Sequence, residues 1–275
     1  MNVDVRNRRG PGGRVLRLMA AAAVALVAST LIASPAAAAR TATILQMNLC
    51  NGGAADCYTG GLAAVGEAKM MIEHYHPNVV FINEICRGQE VDIAENNDYD
   101  YYSAWTFAAA WNANAGTPVK CTNGADYGSA ILVDNNYVYM DDYGVYARQN
   151  STSEQRAYGC ARFADFYGCV THLSTDEPTA LAQCNELTRQ RLPAMKALYG
   201  EPNVPSIVSG DLNLKYNTAD PENVQNCVPS GWTRKGDGDV QHVMVSSGFT
   251  GMSARTLPMI YTDHSALLVT VTAPW

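Results

Sequence analysis

Positive charge is scarce beyond the first few dozen residues. Residues 40–275 carry 14 Lys+Arg against 25 Asp+Glu, a net charge of −11, although the whole 275-residue chain nets only −7. That balance excludes a histone-like coat on nucleic acid, which needs a broad basic face. There is no C-x-x-C pair and no Cys/His spacing suited to zinc, so a metal–thiolate site is not expected. No apolar run after residue 39 is long enough to span a bilayer. Low-complexity tracts, internal repeats and linkers are also missing. With 47% apolar residues, disorder and collagen-like structure are excluded, and one domain over 40–275 is expected.

The beginning of the chain is of another kind. Residues 1–39 hold five arginines (Arg6, Arg8, Arg9, Arg14, Arg17), one acid (Asp4) and no aromatic residue. Leu18 to Ala33 is apolar apart from Ser29 and Thr30, and the small residues Ser34 to Ala39 follow. A basic stretch, a short apolar run and a small-residue end describe an export signal cleaved near Ala39, with a secreted mature chain of residues 40–275. Export places the eight cysteines (Cys50, Cys57, Cys86, Cys121, Cys160, Cys169, Cys184, Cys227) in an oxidising compartment. Four disulfides are then expected, Cys50–Cys57 and Cys160–Cys169 being the two local pairs to look for.

Strands read at residues 43–47, 79–83, 129–133, 161–166, 169–172, 206–209, 240–246 and 266–272, rich in Val, Ile and Leu and bounded by Gly, Asn, Asp and Pro. Helical spacing appears at about 61–75 and again at 178–199, where Pro193 should kink or split the helix. Many strands with few helices suggest an α/β sandwich of two packed sheets.

Five apolar strands end in polar groups: Thr43–Met47 in Asn48, Val79–Asn83 in Glu84, Cys169–Thr171 in His172, and Ser206–Gly210 in Asp211-Leu212-Asn213, while Asp263-His264 precedes the last apolar run. Singly, each reads as a turn former or a rim residue. Together they place one Glu, two Asp, two His and two Asn where strands meet a common rim. His74, His76 and His242 read as ordinary structural or solvated histidines.

The segments Q-M-N, F-I-N-E, D-Y-G-S-A-I-L, V-T-H-L, V-S-G-D-L-N and T-D-H-S occur in that order. This resembles the endonuclease/exonuclease/phosphatase superfamily, which includes deoxyribonuclease I, neutral sphingomyelinases and inositol polyphosphate phosphatases. The resemblance runs from Thr41 to the C-terminus. It implies a four-layer α/β/β/α sandwich of two mixed sheets with outer helices. It also implies phosphate-ester cleavage with Mg²⁺ or Mn²⁺, with Ca²⁺ a further candidate. By the same resemblance Glu84 is the principal metal ligand, with Asn48 and Asp263 close by. Asp211 orients or deprotonates the attacking water, His264 and His172 are the catalytic histidines, and Asn213 and Asn48 donate to phosphate oxygens. Hard oxygen donors suit Mg²⁺, and an anionic phosphodiester needs its charge neutralised before water can attack.

One position departs from the pattern. Gln241 stands where the family carries Asp, and Asp239 lies on the same strand face two residues earlier. Either is expected to position His172. Three functions compete: a secreted nuclease, a secreted lipid phosphodiesterase of the sphingomyelinase type, and a non-catalytic binding protein. A phosphomonoester is a further candidate substrate. The complete set of seven residues argues against the binding protein. For a nuclease, Arg87, Arg156, Arg162 and Lys215 are the local cations that could meet phosphate, Arg156 and Arg162 foremost. The aromatic segment 101–111 reads as a membrane-touching loop, a base-stacking surface, or a core strand with rim aromatics. A monomer acting on a phosphodiester, nucleic acid foremost, is the expectation, with transient membrane contact only if the substrate is a lipid.

Overall fold

In the computed structural model of the chain, residues 40–95, 102–134 and 136–274 are described. The export signal expected over 1–39, and Tyr101 of the aromatic segment, lie outside them. Period-2 alternation builds the architecture. In β1 (Arg40–Asn48) Ala42 and Ile44 point to one face and Leu45 and Met47 to the other, and every residue from Ile44 to Asn48 is buried between packed layers. Parallel to β1 runs β2 (Val79–Cys86), reached through helix α1 (Ala63–Tyr75). After α2 (Gln89–Glu95) come β3 (Tyr102–Ala109), the small hairpin β4 (Trp111–Asn112) and β5 (Thr117–Pro118), then β6 (Tyr127–Asp134). The second half supplies β7 (Val138–Val145), β8 (Ala157–Phe163), β9 (Tyr167–His172), α3 (Glu177–Glu186), α4 (Leu192–Leu198), β10 (Ser206–Asp211), β11 (Thr233–Gly236), β12 (Gln241–Val245), β13 (Thr250–Leu257) and β14 (Ala266–Ala273).

These strands form two mixed six-stranded sheets, ordered β13-β14-β1-β2-β6-β3 and β11-β12-β10-β9-β8-β7. Between them lies an apolar layer that includes Ile44, Phe81, Ile131, Phe163, Val170, Ile207, Val243 and Val269. The outer face of the first sheet packs Leu45, Val80 and Leu132 against Val65, Ala68 and Ile72 of α1 and Ile93 of α2. The outer face of the second packs Cys169, Val208 and Met244 against Ala180, Leu187, Leu192 and Met195. The result is the four-layer α/β/β/α sandwich that the sequence led us to expect.

The helix expected over 178–199 is split. A π-turn over Leu187–Arg191 separates α3 from α4, which restarts with Pro193 in its first turn. Proline has no N–H for the carbonyl four residues back and its ring crowds that carbonyl, so the wider turn lies where the regular ladder fails. Both local disulfides occur, and Cys86–Cys121 and Cys184–Cys227 complete the four. Four bridges fit an oxidising environment. None of the described helices is long and apolar enough to cross a membrane.

Candidate active site

The inner strand faces change character along their length. The same face that carries Ala42 and Ile44 in β1 continues with Gln46 and Asn48. Phe81 of β2 is followed by Asn83, Ile207 of β10 by Ser209 and Asp211, Val243 of β12 by Gln241, and Ile131 of β6 by Ser129. All these polar residues are buried and lie at one end of the sandwich. A buried polar group must be hydrogen-bonded, and these are. The Asn83 carboxamide oxygen accepts from Gln46 Nε2 and the Asp211 amide at 2.7 Å each, and its Nδ2 donates to Ser129 Oγ and the Thr171 carbonyl at 2.9 Å each. Gln46 Nε2 also reaches Gln241 Oε1 at 2.9 Å, and Ser209 Oγ donates to Gln46 Oε1 at 2.9 Å. The two sheets are thus keyed together in one register at this end.

On that platform stand the predicted site residues. Glu84 follows Asn83 at a register break in the β2–β6 pairing and has a left-handed backbone (φ 56°), rare for a residue with a side chain. The break turns its carboxylate toward Asn48, whose Nδ2 donates to Glu84 Oε1 at 2.9 Å and to Asp211 Oδ2 at 3.0 Å. Gly210 lets β10 deliver Asp211, since a Cβ there would lie 1.8 Å from the Thr171 carbonyl oxygen. Burial pushes both the Glu84 and Asp211 carboxyls above the usual range; the Asn48 hydrogen bonds oppose the rise, and Asp211 adds to it at Glu84. His264 Nε2 is 3.4 Å from Asp211 Oδ2 and 3.7 Å from Asp263 Oδ1. Asn213, also left-handed (φ 48°), donates its amide N–H to Asp211 Oδ1 at 3.1 Å and its Nδ2 to the Leu173 carbonyl at 2.9 Å.

His172 ends β9 beside this cluster, 3.9 Å from Glu84 Oε1. Its Nδ1 lies 2.8 Å from Arg156 Nη1, which also meets Glu154 Oε1 at 2.8 Å. A guanidinium only donates, so Nδ1 accepts and the ring proton rests on Nε2. Burial, then Arg156 and His264, holds the imidazole well below its ordinary value. His172 is therefore a neutral N–H donor.

The structure redistributes several expected roles. Gln241 and Asp239 do not position His172. Gln241 is fully buried and donates Nε2 to Asp211 Oδ2 at 2.9 Å, so the neutral amide braces a carboxylate where another carboxylate would repel it. Asp239 pairs at the surface with Lys215 at 2.7 Å, which removes that lysine from the site. Arg162 lies opposite Tyr167, at the far end of β9 from His172, and is held by Glu201 at 2.7 Å. It is a structural ion pair and not a substrate contact. Arg156, the other proposed arginine, lies against His172. Asp263 is more than half exposed at the rim, with its Oδ1 3.7 Å from His264 Nε2. His242 is buried with Nε2 on the Leu214 carbonyl at 2.7 Å and Nδ1 against Arg234 at 3.0 Å, a structural histidine as expected.

Two residues escape a reading of the sequence. Tyr127 is buried and lines small cavities beside both Glu84 and His172, and burial together with the Glu84 charge holds its phenol protonated. Glu67, in the middle of α1, is also buried. Its carboxylate accepts from the Ile260 and Tyr261 amides at 2.8–3.0 Å and so anchors the loop that carries Asp263 and His264. Thr262 ties the same loop to β1 by donating to the Asn48 carbonyl at 2.8 Å. No sequence signal marks Glu67 among ordinary helix glutamates. Tyr127 lies within D-Y-G-S-A-I-L, where it could have been singled out.

The donors suit a hard divalent cation. Two buried carboxylates raised by burial share a single amide NH₂, and Asp263 adds a third acid at the rim, so cationic charge is under-supplied. Glu84 with Asp263 would hold Mg²⁺ or Mn²⁺, the remaining positions being left to water and phosphate. Asn48 as placed spends Nδ2 on the carboxylates and Oδ1 on the Cys50 amide, which makes it a spacer between the acids. Cys50, Cys57 and Asp263 also cluster within 4.8 Å, but the sulfurs are joined in a disulfide, leaving only the carboxylate as a ligand.

No family model and no curated protein matches the chain. Solved structures do match. An endonuclease/exonuclease/phosphatase protein from Beutenbergia cavernae aligns over 85% of this chain and 72% of its own, at 17% identity and TM-score 0.63. TDP2 from Caenorhabditis elegans aligns over 85% and 75%, at 17% identity and TM-score 0.60. The human Nocturnin catalytic domain, solved with sulfate, aligns over 84% and 93%, at 15% identity and TM-score 0.59. The chain shares the endonuclease/exonuclease/phosphatase fold.

Proposed function

We propose that this chain is an exported, monomeric, metal-dependent phosphodiesterase of the endonuclease/exonuclease/phosphatase superfamily, with residues 1–39 as its export signal and nucleic acid as its substrate. The carrying observation is the contiguous run Glu84–Asn48–Asp211–His264, linked at 2.9, 3.0 and 3.4 Å, with neutral His172 on its flank. Four disulfides fit the exported state, and the fold's solved neighbours include an endonuclease/exonuclease/phosphatase protein.

In this reading Glu84 and Asp263 would hold Mg²⁺, which when bound would supply charge neutralisation at the phosphate. The protein's own groups do the rest. Asp211, fixed by Asn48, Gln241 and the Asn213 amide, aligns the attacking water. His172 offers Nε2–H and Arg156 its guanidinium to phosphate oxygens, and His264 faces the same space beside Asp211. These donors are aimed before substrate arrives, so little reorganisation is required in the transition state.

A second reading, a lipid phosphodiesterase, has one observation in its favour: Ile260 and Leu62, near the Asp263 loop, are 79% and 57% exposed. The test is hydrolysis by the oxidised protein of DNA, RNA, sphingomyelin and a phosphomonoester with Mg²⁺ and with chelator. Metal-dependent cleavage of nucleic acid is expected; cleavage of sphingomyelin alone would select the second reading, and no turnover on any of them would refute both.

A further inference from the structure

A groove beside the site takes no part in the chemistry above. It encloses about 400 Å³ and is lined by Arg87, Phe107, Ala109, Trp111 and Tyr143 among others. The wall between it and the reacting groups is one strand thick. Ala108 and Ala110 face the cavity that contains Arg156 and His172, whereas Phe107, Ala109 and Trp111 face the groove. Tyr127 and Asp126 divide in the same way across the neighbouring segment. At the lip, Trp111 pairs with Gln155 through both backbone groups (3.1 and 2.7 Å), directly before Arg156.

The lining has a consistent chemistry. Trp111 and Tyr143 are 36% and 65% exposed, and both offer unpaired aromatic surface. Arg87 lies over the Phe107 ring, 4.9 Å from its centroid. Its ion pair with Asp126 is loose, 3.7 Å, because Lys120 takes that carboxylate at 2.5 Å. In a strongly acidic chain, Arg87 thus stands with a loosely held guanidinium where aromatic faces are open, while Lys120 neutralises Asp126 from the neighbouring cavity beside Glu84. The size falls in the usual range for a small-molecule site. The occupant that matches is flat, carries a π-face and a hydrogen-bonding edge, and is attached to an anionic backbone. A phospholipid headgroup has nothing flat for Trp111 and Tyr143 to stack.

We propose that this groove is a stacking subsite for a nucleobase flanking the scissile phosphate, with Trp111 and Tyr143 as the stacking faces and Arg87 on the adjoining phosphate. The assignment rests on the phosphodiesterase reading for its orientation and deepens it to a base-bearing strand. The test is binding of the oxidised full chain, in chelator, to two fluorescent single strands of one length, one natural and one abasic throughout. Stacking on the order of one base gives the natural strand about a tenfold advantage. That advantage should vanish in Trp111→Ala/Tyr143→Ala, and in Trp111→Leu it should shrink although the apolar bulk is kept. Binding of the abasic strand should be unchanged in both, which also shows that they fold. Arg87→Ala should weaken both strands alike. No advantage in the wild type, an advantage that survives the double change, or Trp111-dependent binding to phospholipid vesicles in its place would overturn the proposal. A base advantage without Mg²⁺-dependent hydrolysis would support the subsite and refute the phosphodiesterase reading.

Discussion

The two ends of the layer between the sheets are made by the same strands and the same alternation, yet they do different work. At one end Ile44, Phe81, Phe163, Phe166, Ile207 and Val245 exclude water and need only fit together. At the other, two to four residues further along the same faces, Gln46, Asn83, Ser209 and Gln241 satisfy one another and hold Asp211 in place. The apolar end supplies cohesion without direction. The polar end contributes little net stability per bond but specifies geometry, because each unsatisfied group there is costly. A platform of fixed polar groups is obtained by extending a sandwich past the point where apolar packing would serve.

Substitutions at the two ends should therefore separate. The largest effect is expected from Glu84→Gln: turnover falls by about 10³-fold or more, while thermal unfolding shifts little or upward, since the change removes a buried charge that burial and Asp211 both disfavour and keeps an acceptor for Asn48. Phe81→Ala at the apolar end should cost about 3–5 kcal/mol in denaturant unfolding and leave turnover per folded molecule unchanged. Asn83→Leu, which keeps the branched shape and number of heavy atoms, should couple the two properties. It strands the Asp211 amide and the Gln46 carboxamide, costing about 3 kcal/mol and lowering turnover together, as unfolding curves and kcat on one preparation would show.

Smaller effects probe the surroundings. His242 is pushed down to about 4 by burial. The unfolded chain binds its proton below about pH 6.5 while the folded chain does not, so stability should fall from pH 6.5 to 4 by up to about 3 kcal/mol and then level off. Unfolding of His242→Gln over that range should show a correspondingly flatter profile than the wild type. Glu67→Ala frees the loop that carries Asp263 and His264 and should lower kcat by about tenfold, with partial recovery in Glu67→Gln, which keeps one acceptor oxygen.

The polar end was largely legible in sequence because the alternation is visible: I-x-Q-x-N, F-x-N, I-x-S-x-D and V-x-H each pass from apolar to polar at period 2. The layered architecture followed from the same runs. What was hidden had no such pattern. Strands β7 and β13 are edge strands with mixed or exposed faces, Val138–Val145 carrying two acids and Thr250–Leu257 being mostly exposed, so neither shows an apolar face. Helix α2 is only seven residues long. The orientation of His172 by Arg156 depends on a loop ahead of β8, and the bracing of Asp211 by Gln241 on a pairing between sheets, neither of which spacing along the chain encodes. The split helix was anticipated through Pro193, but the π-turn that absorbs it was not.

The central claim is that Glu84, Asn48, Asp211 and His264 form one metal-assisted phosphodiesterase site at the polar end of an otherwise ordinary sandwich. Its most direct test is the Mg²⁺-dependent cleavage rate of a single DNA strand by the oxidised wild type and by Glu84→Gln, with thermal unfolding recorded on the same samples. The account predicts cleavage that chelator abolishes in the wild type, and its near-complete loss in a variant at least as stable. Undiminished cleavage by a folded Glu84→Gln protein would contradict it.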